Sequence, residues 1–203
     1  MSWQPEIDEI ARRQAMTREM GGPDKVERQR AQGKLTVRER IQRIADPDSF
    51  REIGSLSGKA TYDKDGKLIA LSPANTVLGR AAIDGRPVVI QGDDFTVRGG
   101  AADAAIWQKQ VMAEQMAREL RLPIIRLIDG TGGGGSVKSL DVDARTYVPA
   151  NPGWDHVVAN LATVPVVALA LGPTAGLGAA RAVTSHYSVM VQGVSSLFAA
   201  GPP

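Results

Sequence analysis

Two apolar runs that each end in glycine constrain the fold of this chain most strongly. PIIRLID at 123–129 leads into five glycines around one threonine, and PVVALAL at 165–171 leads into GPTAG. Continuous apolar runs without polar alternation are typical of parallel strands buried under helices. Helical patterns at about 101–120 and 154–162 precede the two runs. This order predicts an α/β fold with buried parallel strands.

Shorter β-like runs come before and after this region. Three of them precede the long helix, at 55–61, 76–83 and 86–91, and the turns DKDG at 63–66 and DG at 84–85 favour hairpins. Two more follow the second apolar run, SVMVQG at 188–193 and SLFAA at 196–200. The chain therefore begins its sheet with hairpins and continues it with helix-connected strands.

The N-terminal segment has a different character. Residues 4–32 are rich in Arg, Glu, Gln and Met, and GGP at 21–23 divides them into two helices. Four apolar residues recur at helical spacing and predict a pair of exposed helices that pack on another surface: Ile7, Ile10, Ala11 and Ala15. The alternative is a solvated arm with no ligand. A further helix at 37–44 ends before Pro47. We expect residues 1–32 to be a helical extension of a domain at 33–203.

Composition excludes several classes of protein. A formal net charge of +2 and 4% aromatic residues argue against a nucleic-acid-binding surface. The longest apolar run is too short to cross a membrane, which takes about 20 residues. The chain has no cysteine, and its N-terminus lacks the pattern of a secretory or transit peptide. A cytoplasmic location is the expectation.

The glycine-rich loop LIDGTGGGGS at 127–136 satisfies GxGxxG but fits neither nucleotide motif. A dinucleotide loop opens directly into a helix that meets the pyrophosphate, whereas SVKSLDVDART follows here. A P-loop would place Lys and Ser or Thr where Ser136 and Val137 stand. Two interpretations remain: a flexible turn, or a loop whose bare backbone approaches a bulky ligand.

Side chains suited to catalysis are scarce. His156 and His186 have no partner at metal-ligand spacing, so we interpret both as structural and expect no metal site. Asp93 and Asp94 are adjacent and point in different directions from an extended segment, which argues against a catalytic carboxylate pair. Backbone chemistry is the remaining option. The turn GPTAG enters a helix at Gly176 or Leu177, and the amides at that helix start suit an oxyanion hole for a thioester enolate. A tightly packed small-residue helix is the alternative.

Five segments in order resemble the carboxyltransferase β subunits of biotin-dependent acyl-CoA carboxylases, of the propionyl-CoA carboxylase type. They are GKLTVRERIQRIADPDSFREI at 33–53, GRPVVIQGDDFTVRGG at 85–100, LPIIRLIDG at 122–130, VPVVALALGPTAG at 164–176 and SVMVQGVSSLFAAGPP at 188–203. The resemblance implies a crotonase-like (ClpP/crotonase) fold of repeated ββα units. It also implies an enzyme that transfers a carboxyl group from carboxybiotin to the α-carbon of an acyl-CoA.

The resemblance also implies a set of site residues. The family's AGG turn falls on Ala175, Gly176 and Leu177, so the amides of Gly176 and Leu177 are the oxyanion-hole candidates. Where the family has DSGGAR this chain has DGTGGG at 129–134, which lacks the arginine near the acyl-CoA. The residues assigned to substrate binding by the resemblance and by their charge are Gly132, Gly133 and Ala175 for the pocket wall, and Lys138, Arg145 and Arg98 for the CoA phosphates.

Members of this family carry a second, biotin-binding half, and the active site forms between halves of two subunits. This chain ends at Pro203, where the first half ends. We expect it to bind acyl-CoA, to need a partner that carries biotin carboxylase and biotin carrier functions, and to belong to a dimer-based homo-oligomer that is a hexamer at full length. Two alternatives stay open: a subunit of a biotin-dependent acyl-CoA decarboxylase, and a non-catalytic acyl-CoA-binding or assembly module.

Overall fold

The computed structural model of the chain describes residues 2–100, 107–130 and 153–199. The helices of this described part are α1 (Gln4–Arg18), α2 (Pro23–Ala31), α3 (Val37–Ile44), α4 (Trp107–Leu120), α5 (Trp154–Asn160) and α6 (Leu177–Val183). No helix in these ranges is long and apolar enough to cross a membrane.

The strands form one large sheet and one separate hairpin. They are β1 (Arg51–Ile53), β2 (Gly58–Tyr62), β3 (Leu68–Pro73), β4 (Thr76–Ile83), β5 (Arg86–Asp93), β6 (Ile124–Gly130), β7 (Val166–Ala175), β8 (Tyr187–Met190) and β9 (Ser196–Phe198). The large sheet has the order β1-β4-β5-β6-β7-β8, with β9 also on β7, and β2 pairs with β3. β1, β4 and β5 are antiparallel, whereas β5 to β8 are parallel, as is β9 with β7. The predicted parallel sheet is therefore confirmed.

Both predicted hairpin turns are present. Ile83 pairs with Arg86 across a two-residue turn in which Asp84 and Gly85 have φ values of 50° and 74°. Positive φ at both positions is what a tight hairpin turn of this type requires. The carboxylate of Asp46 accepts hydrogen bonds from both turn amides, at 2.9 and 2.8 Å. The segment after α3 thus fixes the β4–β5 turn.

Helix α3 begins and ends where the sequence predicts. The Thr36 hydroxyl accepts from the Glu39 amide, and the Glu39 carboxylate accepts from the Thr36 amide at 2.7 Å. This reciprocal cap fixes the helix start. Val37 and Ile41 are buried and pack against one face of the sheet with Ile90 and Leu127. α4 covers the other face through Ala113 and Ala117.

The N-terminal helix α1 contacts the described chain through its polar side. Helices α1 and α2 do flank GGP, but the exposed fractions of Ile7 and Ile10 are 54% and 48%, and Ala11 and Ala15 are exposed as well. Within the described ranges this apolar face of α1 is exposed, so a surface that it packs on stays a prediction. The helix meets the β2–β3 hairpin through its polar side instead, where Arg12 donates to the Leu68 carbonyl at 3.5 Å.

Two short strands were not predicted from the sequence patterns. β1 and β3 lack the β-branched alternation that marks a strand, and they form because β1 adds to the edge of β4 and β3 completes the DKDG hairpin. The boundary at residue 33 stays a prediction. α2 and the segment after it are continuous in their contacts, since the buried Gln29 side chain donates to the Leu35 carbonyl at 2.7 Å.

Candidate functional site

The carboxyl ends of β5, β6 and β7 form the edge of the sheet where the candidate site lies. In open α/β sheets, ligands bind at this edge. β5 ends at Asp93, β6 at Gly130, and β7 continues to Ala175. The short turn Arg98–Gly100 lies backbone to backbone against the end of β6, because a Cβ added at Gly130 would stand 2.5 Å from the Gly99 carbonyl oxygen and 3.0 Å from Gly100 Cα. Only glycine permits this approach.

A buried carboxylate holds the end of β6. Asp129 is fully buried, and its carboxylate contacts Lys34 Nζ at 2.9 Å and Arg40 Nη2 at 2.8 Å. Arg40 also donates to the Leu171 carbonyl of β7 at 3.1 Å. Gly172 makes room for this ion pair, since a Cβ there would stand 2.0 Å from Asp129 Oδ1. Lys34, which precedes α3, and Arg40 of α3 thus fix the strand from which the glycine-rich loop starts.

Asp93 and Asp94 have separate partners, as the sequence predicts. Asp93 faces Arg181 of α6 at 3.3 Å, whereas Asp94 accepts from the Thr96 hydroxyl at 2.6 Å and from the Thr96 amide at 3.0 Å. Burial raises the pKa of each carboxyl above its ordinary value, against the lowering effect of Arg181 on Asp93 and of Thr96 on Asp94. Neither aspartate faces the other as a catalytic pair; both tie loops and α6 to the sheet edge.

A second buried network holds the far end of α6. Arg126 of β6 makes a two-pronged ion pair with Glu114 of α4, at 2.7 and 2.8 Å. The same guanidinium donates to the carbonyls of Arg181 and Thr184, at 3.0 and 2.6 Å. Burial lowers the pKa of Arg126, although its hydrogen bond to Glu114 acts the other way. α6 is therefore clamped to the sheet at its carboxyl end.

The turn from β7 into α6 has the backbone that the sequence predicts. Gly176 has φ 58° and ψ −126°, a conformation that side chains rarely adopt, and the Ala180 amide donates to its carbonyl at 3.0 Å. The amides before Ala180, beginning with Leu177, precede the first hydrogen bond within the helix. The Gly176 amide donates to the Phe198 carbonyl of β9 at 3.1 Å. Leu177 thus offers a helix-start amide, while the amide of Gly176 is engaged in the sheet.

The structure brings together only part of the predicted substrate site. Ala175 ends β7 beside Gly176, and Arg98 lies in the turn that touches the end of β6. The remaining four predicted residues, Gly132, Gly133, Lys138 and Arg145, lie outside the described residues.

Both histidines have structural surroundings. His186 Nδ1 accepts from the Val166 amide at 3.0 Å, so the neutral ring carries its proton on Nε2, which donates to the Leu161 carbonyl at 2.9 Å. The ring joins the start of β7 to the end of α5. His156 lies on α5 beside Asp155, at 3.9 Å. Within the described ranges, no three metal-binding side chains come close enough to hold an ion.

The charged side chains beneath the sheet edge were not predicted from the sequence. Lys34, Arg40 and Asp129 are far apart along the chain, and no local pattern links them. One signal was present: Asp129 ends a buried strand directly before glycine, and a charge in that position needs a partner. The sequence leaves the choice of partner open among its 24 basic residues.

Comparisons with known proteins agree with this architecture. The chain is 33% identical over 199 residues to a probable biotin-dependent acyl-coenzyme A carboxylase beta2 subunit of Mycobacterium tuberculosis, covering 97% of this chain and 35% of that protein. It is 29% identical to the methylmalonyl-CoA decarboxylase subunit alpha of Veillonella parvula, covering 98% of this chain and 38% of that protein. The chain thus spans little more than a third of the length of these curated relatives.

A solved structure of transcarboxylase 12S, described as a hexamer assembly with methylmalonyl-coenzyme A and methylmalonic acid bound, is also similar. Its TM-score is 0.78 at 27% identity, covering 100% of this chain and 38% of that one. The likeness confirms the crotonase-like α/β fold. Residues 28–203 match the carboxyl transferase domain family. The chain therefore belongs to the carboxyl transferase family.

Proposed function

We propose that this chain is the acyl-CoA-binding half of a carboxyltransferase that moves a carboxyl group to the α-carbon of an acyl-CoA. The observation that carries the proposal is the family match over 28–203, which includes the turn from β7 into α6. Carboxybiotin, carried by a partner subunit or domain, supplies the carboxyl group. The residues of this chain bind the thioester, orient it and stabilise the enolate.

The backbone at the start of α6 is the proposed oxyanion hole. A thioester enolate places negative charge on oxygen, and preorganised amides stabilise that charge more in the transition state than in the ground state. Leu177 supplies the first amide. Gly176 supplies the turn conformation, and its own amide joins the site when the hydrogen bond to Phe198 is shared or released. The dipole of α6 favours the same charge.

The substrate wall and the charged contacts to CoA stay predictions. Gly132 and Gly133 are assigned to the wall beside Ala175, and Lys138, Arg145 and Arg98 to the CoA phosphates. Neutralising these three cations together should weaken acyl-CoA binding and reduce its dependence on salt, since exposed charges are screened. Unchanged affinity and salt dependence would remove them from the site.

The finer identity is propionyl-CoA carboxylation within a dimer-based homo-oligomer, hexameric at full length, in the cytoplasm. Partners that carry biotin carboxylase and biotin carrier functions are part of this proposal. The decarboxylase relative supports one alternative, the same transfer in the reverse direction. The missing arginine at Gly134 supports the other, a binding or assembly module without chemistry.

Titration calorimetry of the 203-residue chain with acetyl-, propionyl- and methylmalonyl-CoA tests the binding role. We expect binding of at least one of the three, and no carboxyl transfer from carboxybiotin by the chain alone. Absence of binding to all three would refute the acyl-CoA role. Carboxyl transfer by the isolated chain would refute the need for a second half.

A further inference from the structure

A small cavity lies between α1, α3, β4 and α4. Its volume is about 10 Å³, which is room for about one water-sized guest. The polar side chains that line it include Arg38, Glu52, Ser55, Ser57, Asp94 and Lys109. They come from α3, β1, the turn after β1, the residue after β5, and α4. Elements that are distant in sequence thus bring several charged and hydroxyl groups to one enclosed point.

Lys109 lines this cavity without a partner. The residue is 5% exposed, and its side chain passes beneath the turn at Gly54, since a Cβ added there would stand 3.6 Å from Lys109 Cε. Lys109 Nζ makes no hydrogen bond or ion pair with the described residues. Burial lowers the pKa of Lys109 below its ordinary value, an effect that Glu52 opposes and Arg38 strengthens. The amine therefore loses its proton more readily than an exposed lysine does.

The two carboxylates at the cavity are engaged by other groups. Glu52 accepts two hydrogen bonds from Arg38, at 2.8 and 3.1 Å. Asp94 accepts from the Thr96 hydroxyl at 2.6 Å and from the Thr96 amide at 3.0 Å, and burial raises its pKa. Neither carboxylate therefore serves as an ion-pair partner for Lys109.

The same cavity has hydrogen-bond donors without acceptors. Arg38 Nε is buried and has no hydrogen-bond partner among the described residues. The hydroxyls of Ser55 and Ser57, which are half-buried, make no hydrogen bond within the described ranges. An unpaired buried donor costs free energy, and an acceptor placed in the cavity would satisfy it. Negatively charged oxygens suit this position best, because hydrogen bonds to charged groups are stronger.

From this arrangement we propose that Lys109 is a site of reversible carbamylation by carbon dioxide. The lone pair of the neutral amine attacks the carbon of CO₂, one C=O π pair moves onto oxygen, and the nitrogen releases one proton to water. The product is a carbamate on Nζ, and the step needs no oxidant or reductant. The carbamate oxygens accept hydrogen bonds from Arg38 Nε and from the hydroxyls of Ser55 and Ser57. The new group is larger than one water, and rotation of the two serines gives it room.

The small size of the cavity determines which electrophile it admits. CO₂ is small and uncharged, so it reaches the amine where larger electrophiles are excluded. Carbamylation replaces the unpaired amine by an anion beside Arg38, which joins α4 to α3 and to the turn after β1. The proposal does not depend on the acyl-CoA role, because no residue assigned to that substrate lines the cavity.

Carbon-13 NMR of the intact chain tests the site. The protein carries nitrogen-15 at the lysine Nζ atoms and is equilibrated with carbon-13-labelled CO₂ and bicarbonate at constant pH. Only a carbamate on a lysine then gives a carbon resonance split by nitrogen, which separates it from a carbamate on the α-amine. Lys109→Met removes the amine, and Lys64→Met is the matched control at an exposed hairpin turn. Lys109→Arg keeps the positive charge and serves if the methionine variant does not fold, as checked by circular dichroism.

We expect the split resonance in the wild type and in Lys64→Met, and a signal at least about tenfold weaker in Lys109→Met or Lys109→Arg. The reason is that each unit by which a pKa is lowered raises the neutral fraction of an amine about tenfold. At a fixed concentration of dissolved CO₂, the wild-type signal should grow as the pH rises, because more of the amine is neutral. A wild type without the split resonance would overturn the proposal and leave water as the guest. Equal signals in Lys109→Met and Lys64→Met would also overturn it, since exposed lysines would then carry the carbamate.

Discussion

Replacing Asp129 with asparagine should destabilise this protein far more than an exposed change of the same charge. The side chain keeps its shape but loses the charge that faces two buried cations. Lys34 and Arg40 have side chains that are both 6% exposed, so water cannot replace the lost partner. Two uncompensated positive charges would then remain at the end of β6.

The magnitude follows from the two contacts. At an effective dielectric constant of 20, unit charges 2.8–2.9 Å apart attract each other by about 6 kcal/mol per pair. Desolvation of the three ions offsets most of this attraction. Buried pairs that lose one partner are destabilised by about 3–5 kcal/mol, and two stranded cations place Asp129→Asn at the upper end of that range. A domain of ordinary stability would lose a third or more of its free energy of unfolding.

Urea denaturation followed by circular dichroism measures the loss. The control is Glu27→Gln on the exposed side of α2, where we expect a change within about 0.5 kcal/mol. If Asp129→Asn does not fold, Gly172→Ala tests the same cluster, because its Cβ would stand 2.0 Å from Asp129 Oδ1. We expect that variant to lose about 1–3 kcal/mol. A loss below 1 kcal/mol in Asp129→Asn would refute the role of the cluster.

Three further outcomes are expected. Arg126→Met leaves the Glu114 carboxylate buried without its cation and removes two hydrogen bonds at the end of α6. The free energy of unfolding should fall by about 3 kcal/mol, and hydrogen exchange of the Thr184 amide should become faster. Unchanged exchange would argue against the clamp. Gly176→Ala should cost about 1–3 kcal/mol from its φ of 58° and weaken acyl-CoA binding, in denaturation and calorimetry. The Thr36 amide lowers the pKa of Glu39 below 4.5, so the Glu39 charge stabilises the protein above pH 4.5 and less as pH falls. The difference in free energy of unfolding between the wild type and Glu39→Gln, measured in urea, should therefore be smaller at pH 3 than at pH 7.

The sequence was sufficient for the elements whose pattern is local. The apolar runs at β6 and β7 predicted parallel strands, the helical pattern at 37–44 with Pro47 beyond it predicted α3, and Asp84 with Gly85 predicted the hairpin turn. In each case the deciding interaction lies within a few residues, or the apolar run is long enough to require burial.

The rest depends on partners that are distant in sequence. Lys34 and Arg40, the cations that pair with Asp129, come from a charged part of the sequence whose pattern is typical of an exposed helix. Arg40 fits that pattern as well as Arg43 does, yet only Arg43 is exposed. The engagement of the Gly176 amide by Phe198 depends on β9, which is three residues long. Ile7 and Ile10 had helical spacing, but spacing does not say whether another element reaches them.

The ion pairs around Asp129 also affect the order in which parts of the chain fold. Lys34 and Arg40 meet Asp129 across 95 and 89 residues, and Arg40 reaches the Leu171 carbonyl across 131 residues. Closing such long loops is slow, so local hairpins and helices form first. During synthesis, the first helices emerge well before the strand ends that receive their cations. We therefore expect loss of these contacts to accelerate unfolding more than it slows folding, because Lys34 and Arg40 pair with Asp129 late in folding.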